Sequence, residues 1–184
     1  EFRRVLFRSS IDEDTELVNL QNSILNGEVV TREPAYYAGG TAAAHSGQDW
    51  GNTYAEVDMS AQHMWYIQNG QVVLETDVVT GEPIPSKITP EGVYSLMWKQ
   101  PNSVLVGDIN PDTGEPAYRT KVKYWMQVTS SGVGFHDATW QTAFGGTLYQ
   151  IPGTGSHGCI NMPLDQAGAL FNMIEPGTPV IFHW

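Results

Sequence analysis

HMWYIQNGQVVLETDVV, residues 63–79, places two runs rich in β-branched and aromatic residues on either side of Asn69-Gly70. Asn-Gly suits the two-residue hairpin turn because both central positions need a positive φ, which these residues tolerate best. The stretch predicts a β-hairpin, and its neighbours extend the β reading in both directions. TYAEVDM (53–59) alternates apolar and polar residues upstream. Downstream, VYSLMW (93–98) follows the turn-rich ITPEG (88–92), KVKYWMQV (121–128) precedes the Ser130-Ser131-Gly132 turn, and TPVIFHW (178–184) reads as a last strand. Only PLDQAGALFNMI (163–174) looks helical in this region: Pro163 suits a first turn, Leu164, Ala167, Leu170, Phe171 and Ile174 form a stripe, and Pro176-Gly177 stops it. The pattern predicts a mainly β domain, sandwich- or barrel-like, with one helix packed on it.

The 184 residues are 41% apolar and 16% charged, with 19 Gly and 11 Pro, which is a globular and turn-rich composition. Nine basic residues face twenty acidic ones for a net charge of -11, which excludes a general phosphate-tracking surface and therefore nucleic acid as a partner. No run approaches the roughly 18 apolar residues of a membrane span. EFRRVLFRSS (1–10) holds Arg3, Arg4 and Arg8 and gives way abruptly to an acidic run, so it reads as a cloning-derived leader. TELVNLQNSILN (15–26) has helical apolar spacing before Gly27, and residues 11–37 read as the tail of a truncated upstream domain. Residues 38–50 are small and flexible, as a linker is, and residues 51–184 form the domain that follows.

Cys159 is the chain's single cysteine, so no intrachain disulfide forms and no multi-cysteine metal site is available. It lies in GTGSHGCINMP (153–163), where glycines permit a tight backbone that aims successive N–H groups at one point, as a developing oxyanion requires. A thiol becomes a nucleophile when a neighbour removes its proton, and His157 and His136 are the candidates for that neighbour. A buried free cysteine beside structural histidines is the bland alternative. A zinc site on His136, His157 and Cys159 is a third, but the spacing matches no zinc signature, so no metal or other cofactor is expected. His45 and His183 read as solvated bystanders, and His63 as a surface or packing residue.

The assembled string is more specific than any pair. GFHDATW followed by a Gly-rich loop and then Ser156-His157-Gly158-Cys159-Ile160-Asn161-Met162 closely resembles the L,D-transpeptidase catalytic domain, or YkuD, family of the Gram-positive type. DVVTGEPIPSKITPEGVYSL (77–96) and AYRTKVKYWM (117–126) are similar to the family's early strand pair with its Thr-Pro-x-Gly turn and to the strand before its active site, and LNGEVVTREPAYY (25–37) resembles the end of a wall-associated domain found upstream of it. The resemblance implies a mainly β, YkuD-like sandwich or barrel with one or two short helices. It implies a cysteine acyltransferase: Cys159 attacks the bond between the third residue of a peptidoglycan tetrapeptide stem and its terminal D-Ala, and the thioester passes to a stem amine as a 3→3 cross-link, or to water. It makes His136 the base, with the Asp137 carbonyl as its orienter, and puts the oxyanion on amides around Gly158. Ser156 and His157 shape the loop, and Tyr118 and Trp140 match aromatic positions that line the family's pocket. For Phe144 and Tyr149, loop packing is as good a reading as substrate contact. Many members carry Arg two positions after the Cys; Asn161 stands here, and it can hydrogen-bond a substrate carboxylate but cannot pair with it as a charge.

The same resemblance implies stem peptides as substrates, carbapenems as covalent inhibitors and an extracytoplasmic site at the cell wall or surface, in a full-length protein that could be membrane-anchored. A Cys–His pair of this kind predicts a thiol that alkylates well below its free pKa of about 8.5. A sortase-like acyltransferase, with Arg119 as oxyanion partner, and an inactive wall-binding module that keeps the fold are the rival readings.

Overall fold

The structure, a computed structural model, describes residues 13–31, 50–111 and 113–184. The leader, residues 32–37, and the linker as far as residue 49 lie outside the described residues. The chain divides into two compact units, Glu1–Gly51 and Asn52–Trp184. In the first, helix α1 covers Glu13–Leu25, and the chain turns at Gly27 with φ +65°.

The second unit is built from two sheets and one helix. Strands β1 (Tyr54–Asp58), β2 (His63–Gln68), β3 (Gln71–Asp77), β4 (Gly92–Ser95) and β9 (Pro179–His183) make a five-stranded sheet in the order β3-β2-β1-β9-β4. Strands β5 (Trp98–Val106), β6 (Arg119–Gln127), β7 (Gly134–Asp137) and β8 (Ile160–Met162) make the second, in chain order. The β2–β3 turn is the expected one: Asn69 and Gly70 have φ of 52° and 78°. Most neighbours run antiparallel, but β1 pairs with β9, and β7 with β8, in parallel. Helix α2 (Leu164–Met173) follows β8 directly and packs on β6 and β7.

The core lies between these layers. Val57, Met64 and Tyr66 from the first sheet meet Met126, Phe135 and Ile160 from the second, and Leu170 and Ile174 close it from the α2 side. Phe182 meets the Phe135 ring edge-on at 6.0 Å and the Tyr94 ring at 5.5 Å, so it joins both sheets.

One expectation needs correction, and one strand carried no expectation. VYSLMW is not one strand: Leu96 bonds both its main-chain groups to residues 177–178, while the Met97 amide donates to Gln127 of β6, so the chain leaves one sheet and enters the other at this dipeptide. The new strand, β5, then runs through Pro101, which the sheet edge tolerates because no ladder partner is needed on the outer side. β8 is the second case, since INM within a Gly-rich loop is too short to show a period. It forms because β7 lies alongside and Phe135 and Ile160 are drawn into the core together.

Because Phe182 is almost fully buried between the sheets, Phe182→Ala should lower the unfolding free energy of this domain by about 3–5 kcal/mol, as read by urea titration. A loss below about 1 kcal/mol would contradict its placement in the shared core.

Candidate active site

The parallel pairing of β7 and β8 assembles the site. Its register sets Phe135 beside Ile160 and His136 beside Asn161. Side chains alternate along a strand, so with Phe135 and Ile160 in the core, His136, Asn161 and Cys159 fall on the opposite face. All three line one cavity of about 460 Å³, which is open to solvent.

His136 is only 3% exposed, and its Nδ1 lies 3.0 Å from the Asp137 carbonyl oxygen. A carbonyl can only accept, so Nδ1 carries the hydrogen and Nε2 is left as the acceptor. The Asp137 carboxylate does something else: its Oδ1 accepts the amides of Lys123 and Tyr124, each at 2.8 Å. Burial pushes the His136 pKa below its ordinary value, against the opposing pull of the Asp137 carbonyl and charge. The imidazole is therefore neutral at pH 7. It sits between two indoles, Trp125 with ring centroids 6.0 Å away and Trp140 at 5.9 Å. Trp125 is buried, whereas Trp140 is 52% exposed at the cavity rim.

The Cys159 loop is braced from inside and outside. The Ser156 hydroxyl donates to the Cys159 carbonyl at 2.6 Å and accepts the Gly158 amide at 3.0 Å. From outside, the Thr89 hydroxyl donates to the Gly158 carbonyl at 2.8 Å. Gly158 has φ +116°, which side chains other than hydrogen resist, so this double bracing needs glycine. Its amide is spoken for by Ser156, and the backbone amides of His157 and Cys159 have no hydrogen-bond partner among the described residues. Those two N–H groups are the ones available to an oxyanion.

The half-buried Cys159 directs its thiol at the Gly132 carbonyl, 3.6 Å away, and makes no hydrogen bond to His136 among the described residues. Burial pushes the thiol up to about 11, and the Gly134 backbone offsets this only in part. The expectation of a thiol acidified below 8.5 is thus overturned: desolvation outweighs the dipoles of the loop, and the resting pair is thiol plus imidazole, not thiolate plus imidazolium.

Tyr118 lies just before β6 rather than on a strand. Its ring rests on Gly107, where a Cβ would come within 2.6 Å of the ring, and stands 5.1 Å from the ring of His157. His157 is exposed at the rim. Tyr149 is buried and bonds Gln150, and neither it nor Phe144 lines the cavity. Arg119 is exposed and does not line the cavity either, which removes the residue that a sortase-like chemistry needs. The cavity walls carry no Lys or Arg among the described residues. Of the histidines read as bystanders, His183 instead pairs with Glu56 at 3.0 Å, and His45 lies outside the described residues. His63 pairs with Asp77 at 2.7 Å on the surface of the first sheet.

Three contributors had been given no role at the site from the sequence. Thr89 is one. Glu82 is the second: its carboxylate takes Lys87 Nζ at 3.0 Å and the Gly153 amide at 2.9 Å, which ties the loop before Cys159 to the 81–89 segment and keeps this carboxyl below its ordinary range. The third, Gln141, donates to the Thr154 carbonyl at 3.3 Å and accepts the Asn161 side-chain amide. A partner-free sequence pattern carries no signal for such cross-loop bonds, although the Thr-Pro-x-Gly turn already marked Thr89.

Iodoacetamide alkylation of Cys159 should rise with pH without a plateau below pH 9, because the thiol titrates near 11. A rate plateau reached by pH 7 would contradict the neutral thiol.

This arrangement has counterparts. The pattern of the L,D-transpeptidase catalytic domain (YkuD) matches residues 52–182. L,D-transpeptidase 1 of Mycobacterium tuberculosis is 30% identical over 126 residues, 66% of this chain and 47% of that protein. The crystal structure of a Cys-to-Ser mutant of the Enterococcus faecium L,D-transpeptidase superposes with a TM-score of 0.66 at 42% identity, covering 95% of this chain and 66% of that one. The isolated E. faecium catalytic domain acylated by ertapenem gives 0.60 at 46% identity, covering 72% of this chain and 97% of that one. The chain spans 35% and 47% of the two M. tuberculosis transpeptidases that it matches. With the family pattern running through both sheets and the cysteine loop, the chain belongs to the L,D-transpeptidase catalytic domain family.

Proposed function

We propose that this domain transfers peptidoglycan stem peptides through a Cys159 thioester. The observation that carries the reading is the shared cavity of Cys159 and a buried His136 whose Nδ1 is held by the Asp137 carbonyl, leaving Nε2 to accept a proton.

In the first half-reaction the thiol swings from the Gly132 carbonyl to His136. Nε2 takes its proton as the sulfur attacks the carbonyl carbon of the third stem residue, so that charge never has to exist on the free thiol. The oxyanion that forms is received by the His157 and Cys159 amides, a contribution worth roughly 3–4 kcal/mol per donor in comparable sites. His136 then returns the proton to the nitrogen of D-Ala, the C–N bond breaks, D-Ala leaves as an amine and the thioester remains. In the second half an amine of another stem attacks the thioester carbon and loses one proton to Nε2. The C–S bond breaks and the thiol is reprotonated. The product is a 3→3 cross-link, and water in place of the amine gives L,D-carboxypeptidase action.

The E. faecium relative acylated by ertapenem supports extending covalent β-lactam capture to Cys159. A cavity without Lys or Arg suits a neutral peptide segment held by amide and aromatic groups, with Tyr118 and Trp140 at its rim. Such a substrate sets the reaction outside the cytoplasmic membrane, where anchoring of the full-length protein would keep the domain at the wall. No helix among the described residues is long and apolar enough to cross a membrane.

A disaccharide-tetrapeptide donor read by mass spectrometry should yield dimer and free D-Ala, and Cys159→Ala should abolish both while retaining the folded melting transition. His136→Ala should lower kcat by about 10²–10⁴-fold. A carbapenem should add its mass to the intact protein and not to Cys159→Ala. Turnover by Cys159→Ala would remove the thioester from the mechanism.

A further inference from the structure

Asn161 is 3% exposed, lines the reaction cavity, and has a buried Oδ1 with no hydrogen-bond partner among the described residues. Its main chain is fixed on both sides, since Asn161 and Val79 exchange two backbone hydrogen bonds at 2.9 and 3.0 Å. The orientation of its amide is forced from outside. The Thr154 carbonyl can only accept, so Gln141 turns its NH₂ to it; Gln141 Oε1 can then only accept, so Asn161 turns its own NH₂ to Gln141. Asn161 Oδ1 is left facing away from Gln141 with nothing to receive. A buried acceptor without a donor is costly, and at a substrate cavity the natural remedy is a substrate N–H.

The reaction chemistry identifies which N–H. On the proposed mechanism His136 Nε2 hands its proton to the leaving nitrogen, so that nitrogen must sit within hydrogen-bond reach of His136. Asn161 is the residue directly beside His136 in the β7–β8 register, on a strand about 4.8 Å away and on the same face. We infer that Asn161 Oδ1 accepts the N–H of the scissile amide, and that Gln141 is the positioning residue that turns this oxygen to the substrate. Accepting that hydrogen fixes the rotation of the nitrogen, so that its developing lone pair meets the Nε2–H. When the C–N bond breaks, the nitrogen keeps its original hydrogen on Asn161, gains the second from His136, and leaves as a primary amine. The residue two places after the cysteine thus serves the leaving nitrogen, not the substrate carboxylate.

This assignment rests on the transpeptidase reading, and a paired-donor experiment separates the two. Wild type, Gln141→Met and Asn161→Ala would each be assayed with a disaccharide-tetrapeptide and with the same donor carrying D-lactate for the terminal D-Ala, an ester that lacks the scissile N–H. Both variants should lower kcat/KM for the amide donor about tenfold more than for the ester, the worth of one hydrogen bond. Iodoacetamide reactivity of Cys159 and the melting temperature report whether the loop has kept its place. Asn161→Ala, which removes the acceptor itself, carries the test if Gln141→Met fails to fold. Equal losses on amide and ester, or no loss on either, would overturn the role of Asn161. A wild-type protein inert on both donors would overturn the transpeptidase reading itself and this role with it.

Discussion

The site depends on the two separate uses that Asp137 makes of its oxygens. Its carboxylate, in a residue only 1% exposed, satisfies two consecutive amides of β6, Lys123 and Tyr124, at the point where the β6–β7 ladder ends. That anchors the end of β7. Its carbonyl then has a fixed position from which to hold His136 Nδ1. A buried carboxylate with both bonds at 2.8 Å is stable where it is, and moving it would strand a charge in the core. The imidazole therefore gets its tautomer from a neutral carbonyl and not from a carboxylate, which leaves it less basic than an acid-paired histidine.

This choice explains the electrostatics of the pair. A histidine lowered by burial and a thiol raised to about 11 are poorly matched for forming an ion pair at rest. On the proposed mechanism they are matched for moving a proton only when a carbonyl carbon is in place to receive the sulfur, because attack would lower the thiol's demand for its proton as the oxyanion met the loop amides. The surrounding bonds serve the same end. Ser156, Thr89 and the Glu82–Lys87 pair all tie down the loop that carries the His157 and Cys159 amides, the two donors that the proposed mechanism gives to the oxyanion. The indoles of Trp125 and Trp140 stand near the ring, where they would steady the imidazolium that the proposed mechanism forms in passing.

The sheets were legible because they repeat. Alternation in β1, the β-rich runs of β2, β3 and β9, the Asn69-Gly70 turn and the α2 stripe are signals spread over many residues, and each appears as expected. The shared cavity of Cys159 and His136 and the contact of His136 with the Asp137 carbonyl were legible because the family string is compact and because an extended strand turns the side chain of Asp137 away from that of His136. The chain's exit from one sheet at Leu96-Met97 was not, since the two residues look like any apolar pair and only their distant partners at 127 and 177–178 separate them. The thiol's basicity was hidden for a related reason: a Gly-rich loop advertises N–H dipoles but not the desolvation around the sulfur. Gln141 was silent because its importance lies entirely in what stands across the cavity.

The central claim is that a neutral His136, fixed by the Asp137 carbonyl, stands ready beside a neutral thiol. Nitrogen-15 NMR of the His136 ring in the free protein tests it most directly. At pH 7 and above the account predicts a neutral ring with the hydrogen on Nδ1 and an unprotonated Nε2. Two protonated ring nitrogens at pH 7, the mark of an imidazolium paired with a thiolate, would contradict it.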